Sequence, residues 1–292
     1  VIGDVMLDVV AAPQGPIATG ADTPATIALV PGGSGANVAA WLGHLGASVR
    51  FAGRAGSDSQ AWHVAQLRAH GVEPVLAIDP DLRTGVLVSL ISAGGERSFL
   101  TDRGANARLC HADLPDALLD GIGLVHFSGY ALAHPETRAA VMDFLAGAAD
   151  RAIPIAVDPG ATSFLREAGP ASFLDWTRNA QLCFPNAAEA ALLAGTADLD
   201  AALAILGRHY AVVAIKNGAD AALACADGGT RRWRAAPPPA RSLDSTGAGD
   251  AFVAGFLTAY VRCAEIPDCL RAGVDAGARA VARFGGRPPP RA

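Results

Sequence analysis

Asp244-Ser245-Thr246-Gly247-Ala248-Gly249-Asp250-Ala251-Phe252 opens an apolar run of helical periodicity that reaches Val261. Small residues at 247–249 let consecutive backbone N–H groups point into one concavity at a helix N-terminus, where the helix dipole favours an anion. Such a cradle suits phosphate. Asp250, in the first turn, is placed to take the proton of a hydroxyl that attacks a phosphoryl group held by those amides. Alone, the acid would read as a helix-start Asp and the glycines as a turn. Three small residues bracketed by Asp244, Thr246 and Asp250 are more specific than that.

Outward from this segment, short β-branched apolar runs alternate with stretches of helical period, the rhythm of βαβ units around a parallel sheet. Strands are predicted at 1–6, 49–52, 124–128, 153–158, 182–185 and 212–216, and helices at 37–45, 59–70, 135–150, 187–194 and 199–209, with two more near 248–261 and 269–284. The fold expected is a doubly wound, mostly parallel α/β sheet sandwiched by helices. Two regions break the rhythm and read as antiparallel pairs: 9–30, and 84–91 with 97–101 around a turn at Ala93-Gly94-Gly95. They predict a small β-sheet lid (9–31 and 84–103) on a core formed by 1–8, 32–83 and 104–292. The tail Arg287-Pro288-Pro289-Pro290-Arg291 reads as an exposed end. Ligands gather at the carboxyl ends of parallel strands, here Asp8, Ser128, Asp158, Asn186 with Glu189, and Lys216 with Gly218.

Composition narrows the function. The 292 residues are 51% hydrophobic and 17% charged, which excludes global disorder. A net charge of −5 and a single lysine, Lys216, leave no polybasic footprint for nucleic acid or an anionic membrane, so a small-molecule role is expected. Five cysteines without a CxxC pair suggest neither zinc site nor disulfide framework and fit a reducing cytoplasm. The opening Val1-Ile2-Gly3-Asp4 lacks the basic and long apolar regions of a signal peptide. Gly32-Gly33-Ser34-Gly35-Ala36-Asn37-Val38 lacks the third glycine of a dinucleotide fingerprint, and no GxxxxGK[ST] exists, so neither a nicotinamide oxidoreductase nor a P-loop enzyme is supported.

These motifs resemble the PfkB (ribokinase-like) family of carbohydrate kinases. Its C-terminal signature is similar to residues 244–250; its N-terminal signature is similar to Gly32-Gly33-Ser34-Gly35-Ala36-Asn37-Val38-Ala39 with Leu45-Gly46 and Gly53-Arg54-Ala55-Gly56-Ser57-Asp58. The resemblance implies that Asp8 and Asn37 bind substrate hydroxyls, that Gly32 and Gly33 let substrate approach the backbone, and that Asp250 is the base. Asn37 by itself also fits a helix cap. Asn186 and Glu189 are similar to an Asn-x-x-Glu motif that holds Mg²⁺ and nucleotide phosphates through water; their own pattern equally fits a helix-start pair. Lys216-Asn217-Gly218-Ala219 is similar to a nucleotide-side loop, Gly218 admitting phosphate or ribose, while Lys216 contacts a phosphate or merely solvates a strand end. Backbone carbonyls of Asp244 and Thr246, with carbonyls near Phe284 and Gly286, match a monovalent-cation (K⁺) site, and the closing helix with Arg283-Phe284-Gly285-Gly286 is similar to an adenine-side element. Arg103-Gly104-Ala105-Asn106 is similar to a stretch bordering the sugar pocket, where Arg103 either contacts substrate or is solvated. Gly129-Tyr130 stands where ribokinases carry a ribose-contacting glutamate, leaving room for a larger sugar or a stacked base.

The resemblance therefore implies a cytoplasmic kinase using ATP and Mg²⁺, with K⁺ as a further expectation, that phosphorylates a hydroxymethyl group of a sugar or sugar-like substrate. Asp250 is the base, and the Gly247, Ala248 and Gly249 amides form the anion hole. A nucleoside kinase is the alternative, with a non-catalytic sugar- or nucleotide-binding regulator behind it. Free lid edges could pair two copies into a homodimer.

Overall fold

In the computed structural model, which describes residues 1–91 and 97–290, the chain runs β1 (Met6–Pro13), β2 (Ala25–Gly32), α1 (Ser34–His44), β3 (Val49–Gly56), α2 (Gln60–Ala69), β4 (Val72–Asp79), β5 (Thr84–Ile91), β6 (Arg97–Gly104) and β7 (Val125–Ser128). It continues through α3 (Pro135–Asp150), β8 (Ile155–Asp158), α4 (Thr162–Ala168), α5 (Pro170–Trp176), β9 (Leu182–Cys183), α6 (Ala187–Ala194), α7 (Leu199–Leu206), β10 (Val212–Ile215), β11 (Ala222–Ala226), β12 (Arg231–Ala235), α8 (Ala248–Tyr260) and α9 (Ile266–Val281). None of these helices is long and apolar enough to cross a membrane.

The central sheet has the order β12-β11-β10-β9-β8-β7, parallel from β7 to β10 and closed by an antiparallel ladder of β11 and β12. Strands β7, β8, β10 and β11 are buried on both faces, with four or five consecutive buried residues each, whereas the edge strand β12 is largely exposed. One apolar cluster lies around Phe127, Leu145, Leu165 and Leu203, and a second around Trp41, Phe51, Phe184 and Phe256 on α8. Helices thus cover the sheet on two sides, as the alternating sequence pattern requires.

The expected strand 1–6 is corrected. Of residues 1–5 only Ile2 pairs, forming parallel bridges to Ala52 of β3 and Phe127 of β7, and so joins the parallel β3–β4 ladder to the central sheet. The chain leaves the sheet at Gly3-Asp4 because the first turn of α1 packs there: a Cβ on Gly3 would lie 3.0 Å from Gly35 Cα, and Ala36 N–H donates to the Asp4 carbonyl. The strand that follows, β1, starts at Met6 in a different sheet of order β2-β1-β5-β6. β1 pairs antiparallel with β2 and parallel with β5, and β5 pairs antiparallel with β6. The turn expected at Ala93-Gly94-Gly95 lies outside the described residues.

The tail is the second correction. Arg287 and Pro288 are buried rather than exposed. Trp41 Nε1–H donates to the Gly286 carbonyl at 3.0 Å, and His70 Nε2 lies 2.9 Å from the Pro288 carbonyl, so the segment after α9 is stitched to α1 and to the end of α2. Strands β4, β11 and β12 and helices α4 and α5 were not expected from the sequence.

Candidate active site

The helix-start segment folds as its composition dictates. Gly247 caps α8 in the left-handed region at φ 71°, and a Cβ there would stand 2.5 Å from Gly286 Cα, so only glycine fits. Asp244 N-terminal to it is buried and braces the loop: Thr246 N–H donates to Asp244 Oδ1 at 2.6 Å and Gly285 N–H to Asp244 Oδ2 at 2.8 Å. Ala251 N–H makes the first helical bond, to the Gly247 carbonyl. Gly249 and Asp250 precede it, where a helix has backbone donors to offer. Ala248 N–H meets the Ser245 carbonyl only at a long 3.3 Å.

Asp250 is held from across the molecule by α1. Ser34 Oγ–H donates to its Oδ1 at 2.8 Å and Asn37 Nδ2–H to its Oδ2 at 3.0 Å. Burial pushes the Asp250 carboxyl up to about 6; the Asp158 charge adds to the rise, and the two hydrogen bonds and Lys216 oppose it. Asp8 is buried, and burial pushes it up to about 7 against the pull of Arg287. Gly32 is not part of the open lining: the space its Cβ would take holds the Asp8 carboxyl, 2.1 Å from that point. Gly33, at φ 91°, does line the cavity.

Of the residues expected at the carboxyl edge of the sheet, Asp158, Asn186, Glu189, Lys216 and Gly218 line the polar cavity, whereas Asp8 reaches it from β1 in the other sheet and Ser128 is buried outside the lining. Asp158 ends β8, Asn186 and Lys216 bridge one another beyond β9 and β10, and the Lys216 ammonium pairs with Asp158. Lys216 does not solvate a strand end: its side chain is 13% exposed. Burial works against its charge, but Asp158, Glu189 and Asp250 together hold its pKa above the ordinary value. Asn186 and Glu189 form a complete capping box on α6, with Asn186 N–H and Nδ2–H donating to the two Glu189 oxygens and Glu189 N–H returning to Asn186 Oδ1. The Glu189 carboxyl also lines the polar cavity, where burial pushes it up to about 7 beside Asp158, against Lys216. Arg103 is likewise not solvated. Its Nη2 donates to Asp4 Oδ1 and to the Tyr130 carbonyl, both at 2.8 Å, and its guanidinium lies 5.6 Å from the centre of the Tyr130 ring.

Two cavities meet at the 245–249 segment. One, of about 520 Å³, is lined by Asp4, Asp8, Asn37, Arg103 and Asp250 with Met6, Leu87, Phe99 and Tyr130, so that β1, β5 and β6 form one wall. The other, of about 500 Å³, is lined by Asn217, Pro237, Phe252, Val274, Gly277, Ala278 and Val281. Lys216, Gly218, Ser245, Ala248 and Gly249 belong to both. The sequence reading missed Ser34, although it lies within the quoted glycine-rich run, and Arg287, whose proline neighbours masked it. Asp4 and Tyr130 also belong to the wall.

The family model for pfkB carbohydrate kinases matches residues 1–292. This chain belongs to that family. It is a phosphotransferase with an alcohol group as acceptor. The aminoimidazole riboside kinase of Salmonella typhimurium is 30% identical over 237 residues, 78% of this chain and 72% of that protein. The adenosine kinase of Sinorhizobium meliloti superposes with a TM-score of 0.88 at 25% identity, covering 98% of this chain and 94% of that one. A structure from E. coli assigned as a ribokinase II, in complex with ATP and Mg²⁺, superposes with a TM-score of 0.88 at 19% identity over 99% of this chain and 94% of that one. The doubly wound α/β fold expected from the sequence, with its parallel sheet flanked by helices, is therefore the ribokinase-like fold.

Proposed function

We propose that the chain transfers the γ-phosphoryl group of ATP to a hydroxymethyl group of a sugar or sugar-like substrate. One observation carries this reading: Asp250 faces the polar cavity, while the amide-bearing turn at its helix start lines both that cavity and the apolar one. A donor in one and an acceptor in the other would meet where the amides are.

The residues fit the parts. Asp8 and Asn37 present a carboxylate and an amide to hydroxyls, and Asp250, pushed up to about 6, is mostly ionised at neutral pH yet basic enough to accept the hydroxyl proton. The 247–249 amides are fixed dipoles against the charge that develops on the phosphoryl oxygens. In the apolar cavity, Gly277 and Ala278 leave room for a flat base between Phe252, Val274 and the 237–239 prolines. Mg²⁺ fits Glu189 through water, both carboxylate oxygens being engaged by Asn186, and it would neutralise phosphate charge there. For K⁺, the Asp244 carboxylate ties its own loop to Gly285, bringing together the segments whose carbonyls would hold the ion. Omitting K⁺ in favour of choline should lower turnover.

A second reading, a nucleoside acceptor, is favoured by Phe99 and Tyr130 in the wall of the polar cavity, two aromatic faces on which a base could stack. The kinship with an aminoimidazole riboside kinase and an adenosine kinase supports it. Exposed Ile27, Leu29 and Leu100 on the β2-β1-β5-β6 sheet support pairing of two copies, which light scattering would reveal. The deciding experiment is ADP release from Mg-ATP against pentoses, hexoses, sugar acids, sugar phosphates and nucleosides, with Asp250→Asn as control. Turnover confined to nucleosides, and lost for them in Phe99→Ala, would select the second reading. Turnover by Asp250→Asn at the parent rate would exclude Asp250 as base.

A further inference from the structure

Arg287, in the tail, lies behind Asn37, which lines the polar cavity, and nothing in the proposed reaction uses it. Arg287 is 8% exposed. Its Nε–H donates to Asn37 Oδ1 at 3.3 Å and its Nη2–H to the Gly32 carbonyl at 3.0 Å. Its Nη1 is buried without a hydrogen-bond partner among the described residues, and so is Asp8 Oδ1. The charged or titratable groups that face it are Asp8 on β1, Asp250 on α8 and His63 on α2, with the Asn37 amide on α1.

A guanidinium can only donate hydrogen bonds and an ionised carboxylate can only accept them. Asn37 lies between the two, so its oxygen must face Arg287 and its NH₂ must face Asp250. Turning the amide over would set N–H against N–H and oxygen against oxygen. In the observed orientation Oδ1 is engaged and one Nδ2 hydrogen is committed to Asp250, which leaves one hydrogen free. Asn37 is then a donor to the acceptor substrate, and Asp8 is the complementary hydrogen-bond acceptor.

We propose that Arg287 is a positioning residue for the phosphoryl acceptor: it fixes the Asn37 amide in its donating orientation and supplies the counter-charge that lets Asp8 accept from a substrate hydroxyl. This rests on the reading that Asp8 and Asn37 hold the acceptor. Arg287→Met keeps the apolar stem and removes both functions, and Arg287→Gln keeps a donor for Asn37 without the charge.

The test measures KM for ATP and for whichever of ribose, fructose and adenosine turns over. Calorimetric affinity for that acceptor without nucleotide accompanies it. In Arg287→Met, acceptor KM and dissociation constant should rise about tenfold or more while KM for ATP stays within about twofold, and Arg287→Gln should fall between Met and the parent. Constants for both substrates unchanged, or weakened alike, would overturn the proposal. Should Arg287→Met not fold, the split in Arg287→Gln decides. If the parent itself turns over none of the three, the kinase reading above is what fails. The melting temperatures then decide for Arg287: the deficit of Arg287→Met against the parent should be larger at about pH 8.5, where Asp8 is ionised, than at about pH 5.5. An equal deficit at both would sink the counter-charge.

Discussion

Replacing Ser34 by alanine should move the acid limb of the pH–rate profile and leave the plateau alone. Ser34 Oγ–H donates to Asp250 Oδ1 at 2.8 Å in a half-buried setting. A hydrogen bond to a charged group contributes about 1.5–3 kcal/mol, and half-exposure to water argues for the lower end. At 1.36 kcal/mol per pKa unit this is about one unit, which takes Asp250 from about 6 to about 7. The ionised fraction then falls about twofold at pH 7 and about tenfold at pH 5, and hardly changes above pH 8.5. Alanine is a good residue for the first turn of α1, so folding should not confuse the reading. The assay is kcat/KM for the acceptor at saturating ATP from about pH 5 to 9, in parent and variant. Charge added by bound nucleotide is common to both proteins and cancels in the comparison. A limb that stays in place, or a loss equal at every pH, would refute the claim that Ser34 tunes the base.

Gly247→Ala should be damaging out of proportion to its size. It strains a residue at φ 71° and sets a Cβ 2.5 Å from Gly286 Cα, for a loss of about 1–3 kcal/mol in urea unfolding and a larger loss of turnover, since the displaced segment leads into Arg287. Lys216→Met leaves Asp158 without its ammonium in a site where the two side chains are 13% and 5% exposed. Chemical denaturation should show a loss of about 3 kcal/mol or more, with turnover falling because Lys216 lines both cavities.

What the sequence made legible was whatever depends on local pattern. The alternation of apolar runs and helical periods follows from burying a parallel sheet on both faces, and residues 244–252 carry their turn and helix start in their own composition. Arg287 and Ser34 were hidden because their partners, Asn37 and Asp250, lie across the fold and not along the chain. The strand expected at 1–6 failed for a similar reason: its apolar residues are real, but packing of Gly3 against Gly35 takes the backbone out of the sheet after one paired residue, Ile2. β12 escaped because Arg231, Arg232 and Arg234 look like loop, whereas on an antiparallel edge strand such charges face solvent and discourage further pairing.

The same burial that tunes Asp250 makes it a liability to the empty protein. Its folded pKa of about 6 lies above the ordinary 3.8. The unfolded chain therefore gives up its proton first as pH rises, and stability falls between about pH 4 and pH 7. A shift of roughly two units corresponds to about 2–3 kcal/mol, fully expressed above pH 7. Asparagine cannot ionise, and in this setting it can turn its oxygen to Asn37 Nδ2 and its NH₂ to Ser34 Oγ, so both contacts survive. Asp8 also gains, because the Asp250 charge is one cause of its own raised pKa. Asp250→Asn should thus melt above the parent at about pH 8, by about half that margin at about pH 5, and near it at about pH 3.5, while losing about 10²–10⁴-fold in turnover. A melting difference that stays constant across that range would mean that Asp250 is not held in a desolvated state. The trade of stability for a poised base would then have to be abandoned.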